Sequence, residues 1–376
     1  ALAFGGSVAF GGSGTCTEEM VSSDTINSTF DYSSTTGDVS ATGSFTGSFT
    51  GDGSGLTGVS ANPFPYTGSA IISGSLATTG SVEFGFNNII AAAYSAGGAL
   101  ITGGACRAGA GTQNAGLAFG GNSGYNCGYT EEYDGSSWTA GGAMIVGRQM
   151  LAGAGTQDAG LAFGGIQQSY FGGGGPIRCT EEYDGSSWTT GGALNIERNL
   201  LAGAGTQTAG LAVGGYAPYP IQVNACTEEY NGSSWSAGGA LSTARSHLAG
   251  VGTQNAGLVS GGRVSSNAVS FTEEYDGSTW SSGGALITAR CWSAGAGTQN
   301  AGLVSGGATI SPSPALLSCT EEYDGSTWSS GGALIIARRS LSGAGTQTAG
   351  LAFGGTPNSC TEEYTGASSS LVKSFD

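Results

Sequence analysis

The sequence is dominated by a repeat whose copies begin 44 to 50 residues apart. The triplet Gly-Thr-Gln occurs six times and starts at Gly111, Gly155, Gly205, Gly252, Gly297 and Gly345. The tetrapeptide Thr-Glu-Glu-Tyr also occurs six times and ends at Tyr133, Tyr183, Tyr230, Tyr275, Tyr323 and Tyr364. A fixed period of this length predicts stacked or circularly arranged units rather than one irregular core.

Each unit contains four short segments that are typical of β-strands. In the second unit they are residues 151–157, 159–165, 179–185 and 186–194. Gly or Asp-Gly turns separate most of them, a variable loop lies between the second and the third, and no segment shows helical periodicity. We therefore expect an all-β protein in which every unit is a four-stranded antiparallel sheet. The first strand consists of Ala and Gly, which suits the crowded position nearest a central axis.

The two ends of the array determine the expected number of sheets. Five units carry a Trp five residues after the Tyr of the motif, whereas the sixth unit has Ser369 in that place. A segment before the first unit, residues 94–100, resembles a fourth strand and has Tyr94 in the place of the Trp. The simplest closure is a six-bladed ring in which this segment completes the last blade, since closure removes exposed strand edges. The alternative is that residues 368–373 supply that strand.

The unit resembles a kelch repeat. The residues that carry the resemblance are the glycine pair Gly164 and Gly165, followed by Tyr183, Trp188 and Arg198, and this pattern recurs in five full units and partly in a sixth. The resemblance extends over residues 88–371 and implies a kelch-like β-propeller. The expected fold is thus a six-bladed propeller over residues 90–376 that follows a Gly/Ser/Thr-rich extended segment over residues 21–89.

The segment before the propeller contains short tandem fragments, such as residues 43–59 and 67–84, with recurring apolar residues. It is interpreted either as a flexible linker or as strands that assemble with other copies, which would make a homo-oligomer. Residues 48–59 resemble the shaft repeats of phage tail fibres, and the propeller repeat resembles arrays in phage structural proteins. Residues 1–20 form a partial repeat, either the end of an earlier array or a decayed blade. Since the chain begins at Ala1, it is either processed or part of a longer product.

Charge and composition exclude several classes of function. The net charge is −16, with 26 acidic and 10 basic residues, so we expect no nucleic-acid partner and no binding to anionic membranes. No apolar stretch is long enough for a membrane helix. The single histidine, His247, is interpreted as a blade-packing residue, and no C-x-x-C pair suggests a zinc site. We therefore predict no metal, no cofactor and no catalytic residue.

Paired glutamates recur in the third segment of every unit. Neighbouring residues of a strand point to opposite faces, so the two carboxylates cannot form one metal cage, and six copies indicate architecture. The first glutamate of each pair is predicted to form a buried inter-blade ion pair with a repeat arginine. The glutamates are Glu131, Glu181, Glu228, Glu273, Glu321 and Glu362, and the arginines are Arg148, Arg198, Arg245, Arg290 and Arg338.

Four cysteines occupy one register position directly before the Thr-Glu-Glu motif: Cys179, Cys226, Cys319 and Cys360. Phe271 and Tyr129 take this place in the other two units, so the position suits an apolar filler. Equivalent positions on successive blades are too far apart for a disulfide. These residues are predicted to be buried free thiols.

Loops of variable length lie between the glycine pair and the Thr-Glu-Glu motif, with 8, 14, 11, 9, 12 and 5 residues in chain order. In an up-and-down blade these loops share one face around the axis. Divergent loops on a constant scaffold are typical of binding surfaces, and aromatic side chains suit sugar rings or protein contacts. The candidate ligand-binding residues are Tyr125, Tyr170, Phe171, Tyr216, Tyr219 and Arg263. The alternative is neutral drift in exposed loops.

Together these observations favour a non-enzymatic virion appendage protein at the particle surface. Residues 21–89 are expected to contact other virion proteins, and the propeller loops a host-surface glycan or protein. A purely structural or decoration module that docks other virion proteins is the alternative, and a glycan-active enzyme is a third hypothesis.

Overall fold

The computed structural model describes residues 28–32, 39–43, 87–122, 128–167, 174–218, 222–311, 314–357 and 359–371. The chain divides into two compact units, residues 1–84 with 373–376 and residues 85–372. In the first unit, β1 (Ser28–Tyr32) pairs antiparallel with β2 (Val39–Gly43). Residues 1–20 and most of the predicted shaft, residues 21–89, lie outside the described residues.

The second unit is a six-bladed, all-β propeller, as the repeat predicts. Its first strands in the chain are β3 (Asn87–Ile90) and β4 (Ala93–Ala96). The first blade contains β5 (Ala108–Gly111), β6 (Gly116–Phe119), β7 (Thr130–Tyr133) and β8 (Trp138–Ala140). The second contains β10 (Ala152–Gly155), β11 (Gly160–Phe163), β13 (Thr180–Tyr183) and β14 (Trp188–Thr190), with β9 (Arg148–Gln149) paired to β12 (Ile166–Gln167).

The next three blades follow the same order from the inner to the outer strand. The third contains β15 (Ala202–Thr206), β16 (Ala209–Val213), β19 (Thr227–Tyr230) and β20 (Trp235–Ala237), with β17 (Tyr216–Ala217) and β18 (Gln222–Val223) in its loop. The fourth contains β21 (Ala249–Thr253), β22 (Ala256–Ser260), β25 (Thr272–Tyr275) and β26 (Trp280–Ser282), with β23 (Arg263–Val264) and β24 (Asn267–Ala268). The fifth contains β27 (Ala294–Thr298), β28 (Ala301–Ser305), β31 (Thr320–Tyr323) and β32 (Trp328–Ser330), with β29 (Ala308–Thr309) and β30 (Ala315–Leu316).

The sixth blade joins the two ends of the array. It contains β33 (Ser342–Gly345), β34 (Ala349–Phe353) and β35 (Thr361–Thr365), and β4 supplies its outer strand. Tyr94 lies opposite Tyr364, as each Trp lies opposite its Tyr in the other blades. The alternative closure is wrong, because β36 (Ser368–Leu371) pairs with β3 instead.

Small residues in the inner strands allow neighbouring blades to approach closely. A Cβ atom placed on Gly153 would lie 2.6 Å from Cζ of Phe119 and 2.9 Å from the carbonyl oxygen of Gly109 in the preceding blade. Both distances are shorter than a carbon contact allows, so only glycine fits between these strands. The Ala/Gly segment of the sequence therefore forms the innermost strand of each blade.

Larger side chains and hydrogen bonds join adjacent blades further from the axis. Trp188 packs against Phe119 of the preceding blade, with ring centroids 5.0 Å apart, and its Nε1 donates to Oγ1 of Thr130 at 2.8 Å. Nε2 of Gln157 donates to the carbonyl oxygens of Gly116 and Tyr133. Because these residues belong to the repeat, equivalent bonds recur around the ring.

No helix long and apolar enough to cross a membrane occurs in the part of the chain that the structure describes.

Candidate functional site

The first glutamate of every pair forms a buried ion pair with an arginine. The pairs are Arg107–Glu131 at 3.0 Å, Arg148–Glu181, Arg198–Glu228 at 2.9 Å, Arg245–Glu273 at 2.9 Å, Arg290–Glu321 and Arg338–Glu362 at 3.2 Å. The pKa of Arg148 lies below its usual value because the side chain is buried, although the neighbouring Glu181 carboxylate acts in the opposite direction. All six arginines are at most 6 % exposed, so none of them is available to a ligand.

Each ion pair fastens a connection between blades to the third strand of the blade that follows. Glu181 accepts the backbone N–H of Ile145 at 2.7 Å and that of Val146 at 3.2 Å, and both residues lie in the connection that leads to the second blade. The glutamate that bonds directly to a strand of the adjacent blade is the second of the pair, because Glu132 accepts the hydroxyl of Tyr183. The inter-blade role predicted for the first glutamate is thus shared between both members of the pair.

The sixth arginine, Arg107, does not appear in the sequence prediction, because it stands out of register. It lies directly before the inner strand of its blade, where the second blade has Leu151, and Gly104 occupies the place of Arg148. The unpaired Glu131 was the only sequence signal that a sixth arginine was needed.

The register cysteines are less buried than predicted. Cys179, Cys226 and Cys319 are free thiols that are half-buried, and Arg290 donates to Sγ of Cys319 at 3.0 Å. Cys291 is fully buried, although it lies outside that register.

The variable loops begin beside the axis of the propeller. The first residue of each loop pairs with a residue of the connection that enters the same blade, as in Asn199 with Tyr216, Ser246 with Arg263 and Arg339 with Thr356. Tyr216 is exposed and Arg263 is half-buried. The other four candidate residues, Tyr125, Tyr170, Phe171 and Tyr219, lie outside the described residues.

Six residues, one from each connection, form a closed ring around the axis. They all have positive φ angles between 54° and 59°: Cys106, Met150, Leu200, His247, Trp292 and Ser340. The N–H of each donates to the carbonyl oxygen of its counterpart in the preceding unit at 2.8–3.1 Å, and Cys106 closes the ring on Ser340. Left-handed backbone is unfavourable for these residue types, and the circle of hydrogen bonds offsets that cost. We call these residues the axial ring.

The axial ring surrounds a cavity of about 150 Å³ on the axis, on the face where the variable loops begin. The remaining wall comes from the inner strands and the residues directly before them, mostly Leu, Ala and Gly. The axial ring itself contains six different residue types in a chain whose units are otherwise nearly constant. An alignment of the six units would show this divergent position, which the sequence analysis missed.

One half of the axial ring carries polar chemistry. His247 and Trp292 form a T-shaped ring contact with centroids 4.7 Å apart, Ser340 follows, and the Cζ atom of Arg339 lies 5.2 Å from the Trp292 centroid. The other half consists of Cys106, Met150 and Leu200. The axial ring therefore divides into a polar half and an apolar half.

His247 lines this cavity. The interpretation of His247 as a blade-packing residue is therefore wrong. Its Nδ1 lies 2.8 Å from Oγ of Ser246. Burial, with a further contribution from Arg263, lowers the pKa of His247 to about 4. The imidazole is therefore neutral at pH 7 and can hydrogen-bond an uncharged polar group.

The described residues include no group of three or more His, Cys, Asp or Glu side chains arranged to hold a metal ion. The cavity wall likewise contains no carboxylate among these residues. The wall offers aromatic stacking and neutral hydrogen bonding, because its one arginine among the described residues, Arg107, is held by Glu131.

No family model and no curated protein matches the sequence. Among solved structures, one described as "Structure of YjhT" is similar, with a TM-score of 0.62 and 12% sequence identity. The match covers 73% of this chain and 100% of that chain. At this identity the similarity shows the six-bladed propeller fold alone.

Proposed function

We propose that the protein is a non-enzymatic attachment module of a phage-type virion appendage. In this proposal the propeller is of the kelch type, and its variable-loop face binds a glycan or protein on the host surface. The Gly/Ser/Thr-rich segment joins the propeller to other virion proteins and brings copies of the chain together at the particle surface.

The observation that carries the proposal is where the units differ. Strands, turns and ion pairs recur almost unchanged in all six units, whereas the loops vary from 5 to 14 residues. These loops and the equally divergent axial ring lie on one face around the axis. A rigid ring of constant units that displays different residues on one face suits recognition of a ligand.

The virion assignment is supported by the sequence resemblances. Residues 48–59 resemble phage shaft repeats, and the glycine pair, Tyr and Trp of five units resemble the kelch pattern. An appendage of this kind needs an elongated anchor and an exposed recognition domain. In this chain the Gly/Ser/Thr-rich segment would be the anchor, and the propeller that follows it would be the recognition domain.

A loop graft tests attachment. The fourteen-residue loop of the second blade, residues 166–179, is replaced by the five-residue loop of the sixth, residues 356–360, which occupies the same register. Binding of the purified protein to intact bacterial cells is measured over a panel of strains, and the graft is compared on the strains that bind. We expect binding to fall at least about tenfold, the effect of losing one hot-spot contact.

The matched control changes the opposite face. Thr208→Asn introduces the residue that Asn255 and Asn300 already provide at that register, so the fold is preserved and binding is expected to stay unchanged. Unaltered cell binding by the loop graft would argue against attachment through this face. Turnover of a glycan by the purified protein would establish an enzyme instead.

One feature of the surface favours a second candidate function, docking of other virion proteins. Four consecutive units carry an isoleucine that is 58–62% exposed in the connection between blades: Ile287, Ile335, Ile101 and Ile145. The two remaining units have Asn195 and Ser242 at that position. A one-sided arc of exposed apolar residues is typical of a protein contact. Replacing all four by Asn should then prevent incorporation into particles without changing binding to cells.

A further inference from the structure

The arginines of this chain are distributed unevenly. The sequence contains nine, and six of them are buried in the ion pairs with the repeat glutamates. Of the remaining three, Arg178 is exposed in the loop of the second blade, whereas Arg263 and Arg339 both flank the polar half of the axial ring. In a protein with a net charge of −16, this sector of the axis is locally positive.

Neither Arg263 nor Arg339 has an acidic partner among the residues that the structure describes. Nε of Arg263 donates to the carbonyl oxygen of Ser265 at 2.8 Å, and Arg339 contacts the face of Trp292. Burial raises the pKa of Cys291, and both arginines oppose that shift, so both lie close to the same buried thiol. Two guanidinium groups without a counter-ion attract an anion and can hold a carboxylate through paired hydrogen bonds.

Next to Trp292, one residue of the cavity wall is polar where most other units have an apolar residue. Ser293 stands where four other units have Leu151, Leu201, Leu248 and Leu341. Its Oγ is buried and has no hydrogen-bond partner in the structure. A buried hydroxyl without a partner is costly, so its presence indicates a polar group that the protein itself does not supply.

The size and the remaining wall of the cavity indicate a compact ring. The cavity of about 150 Å³ has room for one six-membered ring, and because it opens to solvent the substituents of that ring can extend beyond it. Trp292 offers an aromatic face, Met150 and Leu200 offer an apolar wall, and the neutral His247 has Nε2 without a partner among the described residues. This combination suits a six-membered ring with an apolar face and hydroxyl groups at its edge.

We propose that the axial cavity binds an acidic sugar residue, a six-membered ring that bears one carboxylate. Arg263 and Arg339 hold the carboxylate, Trp292 stacks on the ring, and Ser293, Ser340 and His247 hydrogen-bond the hydroxyl groups. The inference rests on the proposed attachment function and names the chemical class of its ligand.

Titration with two matched sugars tests the proposal. Glucuronate and glucose differ only at C6, which is a carboxylate in the first and a hydroxymethyl group in the second. Binding of each to the full chain is measured by calorimetry and by tryptophan fluorescence. We expect glucuronate to bind at least about tenfold more tightly, because the difference is a charge-assisted hydrogen-bonded contact. Equal affinity for the two sugars, or no binding of glucuronate, would overturn the proposal.

Single substitutions locate the site. Arg263→Gln and Arg339→Gln are each expected to weaken glucuronate binding about tenfold or more and to leave the weak binding of glucose unchanged. The control Thr208→Asp lowers the net charge by the same amount on the opposite face, where the second unit already has Asp158. If the control weakens glucuronate binding as much as the arginine variants do, the effect is a general one of charge and the proposed site is wrong.

The two proposals fail in different ways. If glucuronate does not bind while the loop graft still abolishes binding to cells, only the acidic-sugar inference fails. If glucuronate binds and depends on both arginines while the loop graft leaves cell binding intact, the cavity is an acidic-sugar site and attachment through the loops is wrong.

Discussion

At the scale of single residues, the repeat glutamates show how a charged side chain becomes architectural. Glu181 is 1% exposed, and its carboxylate accepts hydrogen bonds from Arg148 and from two backbone N–H groups. Three donors of the protein thus replace the water that burial removes from this carboxylate. A buried charge with this many partners is stable, and the same charge without them is not.

Glu181→Ala is therefore expected to lower the free energy of unfolding by about 3–5 kcal/mol, because it leaves the buried Arg148 without its counter-charge. Chemical denaturation of the full chain measures the loss. Glu197→Ala is the control, since this glutamate is exposed, and its effect should stay within about 0.5 kcal/mol. Replacing Arg148 and Glu181 together by Met should recover part of the loss, and a double variant less stable than Glu181→Ala would contradict this account.

At the scale of elements, the outer strand of the sixth blade decides whether the ring is closed. Tyr94 in β4 is 9% exposed and packs against Tyr364, with ring centroids 4.8 Å apart and ring planes tilted by 50°. Its hydroxyl oxygen lies 2.5 Å from Oγ of Ser305 in the fifth blade. It thereby replaces the Trp of the other blades, which bonds a Thr of the preceding blade. One strand from before the repeats therefore connects the beginning of the propeller to its end.

Tyr94→Ala should destabilise the propeller by about 3–5 kcal/mol, the cost of removing a large buried aromatic side chain. In a unit that spans residues 85–372, this loss of stability corresponds to a fall in Tm of about 5 °C or more. Calorimetry of the full chain provides the measurement. Ser95→Ala, an exposed position of the same strand, is the control and should leave the Tm nearly unchanged. An equal effect of both changes would mean that the strand contributes through its backbone alone.

At the scale of the whole molecule, tyrosine hydroxyls link all six blades into one circuit. The acceptor is the second glutamate of the preceding blade, and Tyr133 closes the circuit on Glu363 of the sixth blade. Burial, followed by the hydrogen bond to the carboxylate, raises the pKa to about 12 for Tyr133, Tyr183, Tyr230, Tyr275 and Tyr323. Deprotonation would place two negative charges side by side at every interface.

The propeller is consequently expected to lose stability at alkaline pH. Because the pKa values are raised in the folded state, the folded protein holds these protons more tightly than the unfolded chain does. This contribution is complete below pH 10, the ordinary value, and is lost as the pH rises through about 12. Thermal unfolding followed by circular dichroism between pH 8 and 12 should show a falling Tm with tyrosine ionisation in the same range.

The loss of stability at alkaline pH should be smaller in a variant that lacks one of these tyrosine–glutamate hydrogen bonds. Tyr183→Phe lowers stability at neutral pH, since a hydrogen bond to a carboxylate is worth about 1.5–3 kcal/mol, but it deletes one of the titrating groups. Its Tm should therefore fall less steeply between pH 10 and 12 than that of the unaltered protein. Identical slopes for the two proteins would show that these hydroxyls do not govern the transition.

The sequence predicts the propeller well, because its evidence is local and repeated. Glycine pairs, Asp-Gly turns and alternating strand residues recur in each unit, and every copy strengthens the interpretation of the others. Candidate residues were harder to predict. Tyr216 and Arg263 do lie on the loop face, but the axial ring was missed because its residues share no chemistry that a motif search would detect.

The sequence by itself thus determined the strand pattern of the unit, the number of blades and the choice of glutamate and arginine as buried partners. The tertiary structure alone decided which strand closes the ring, that Arg107 serves as the sixth arginine, and which residues meet at the axis. The physical reason is separation along the chain. Turns and strands depend on neighbouring residues, whereas Cys106 meets Ser340, and Tyr94 meets Tyr364, only after six blades have bent the chain into a circle.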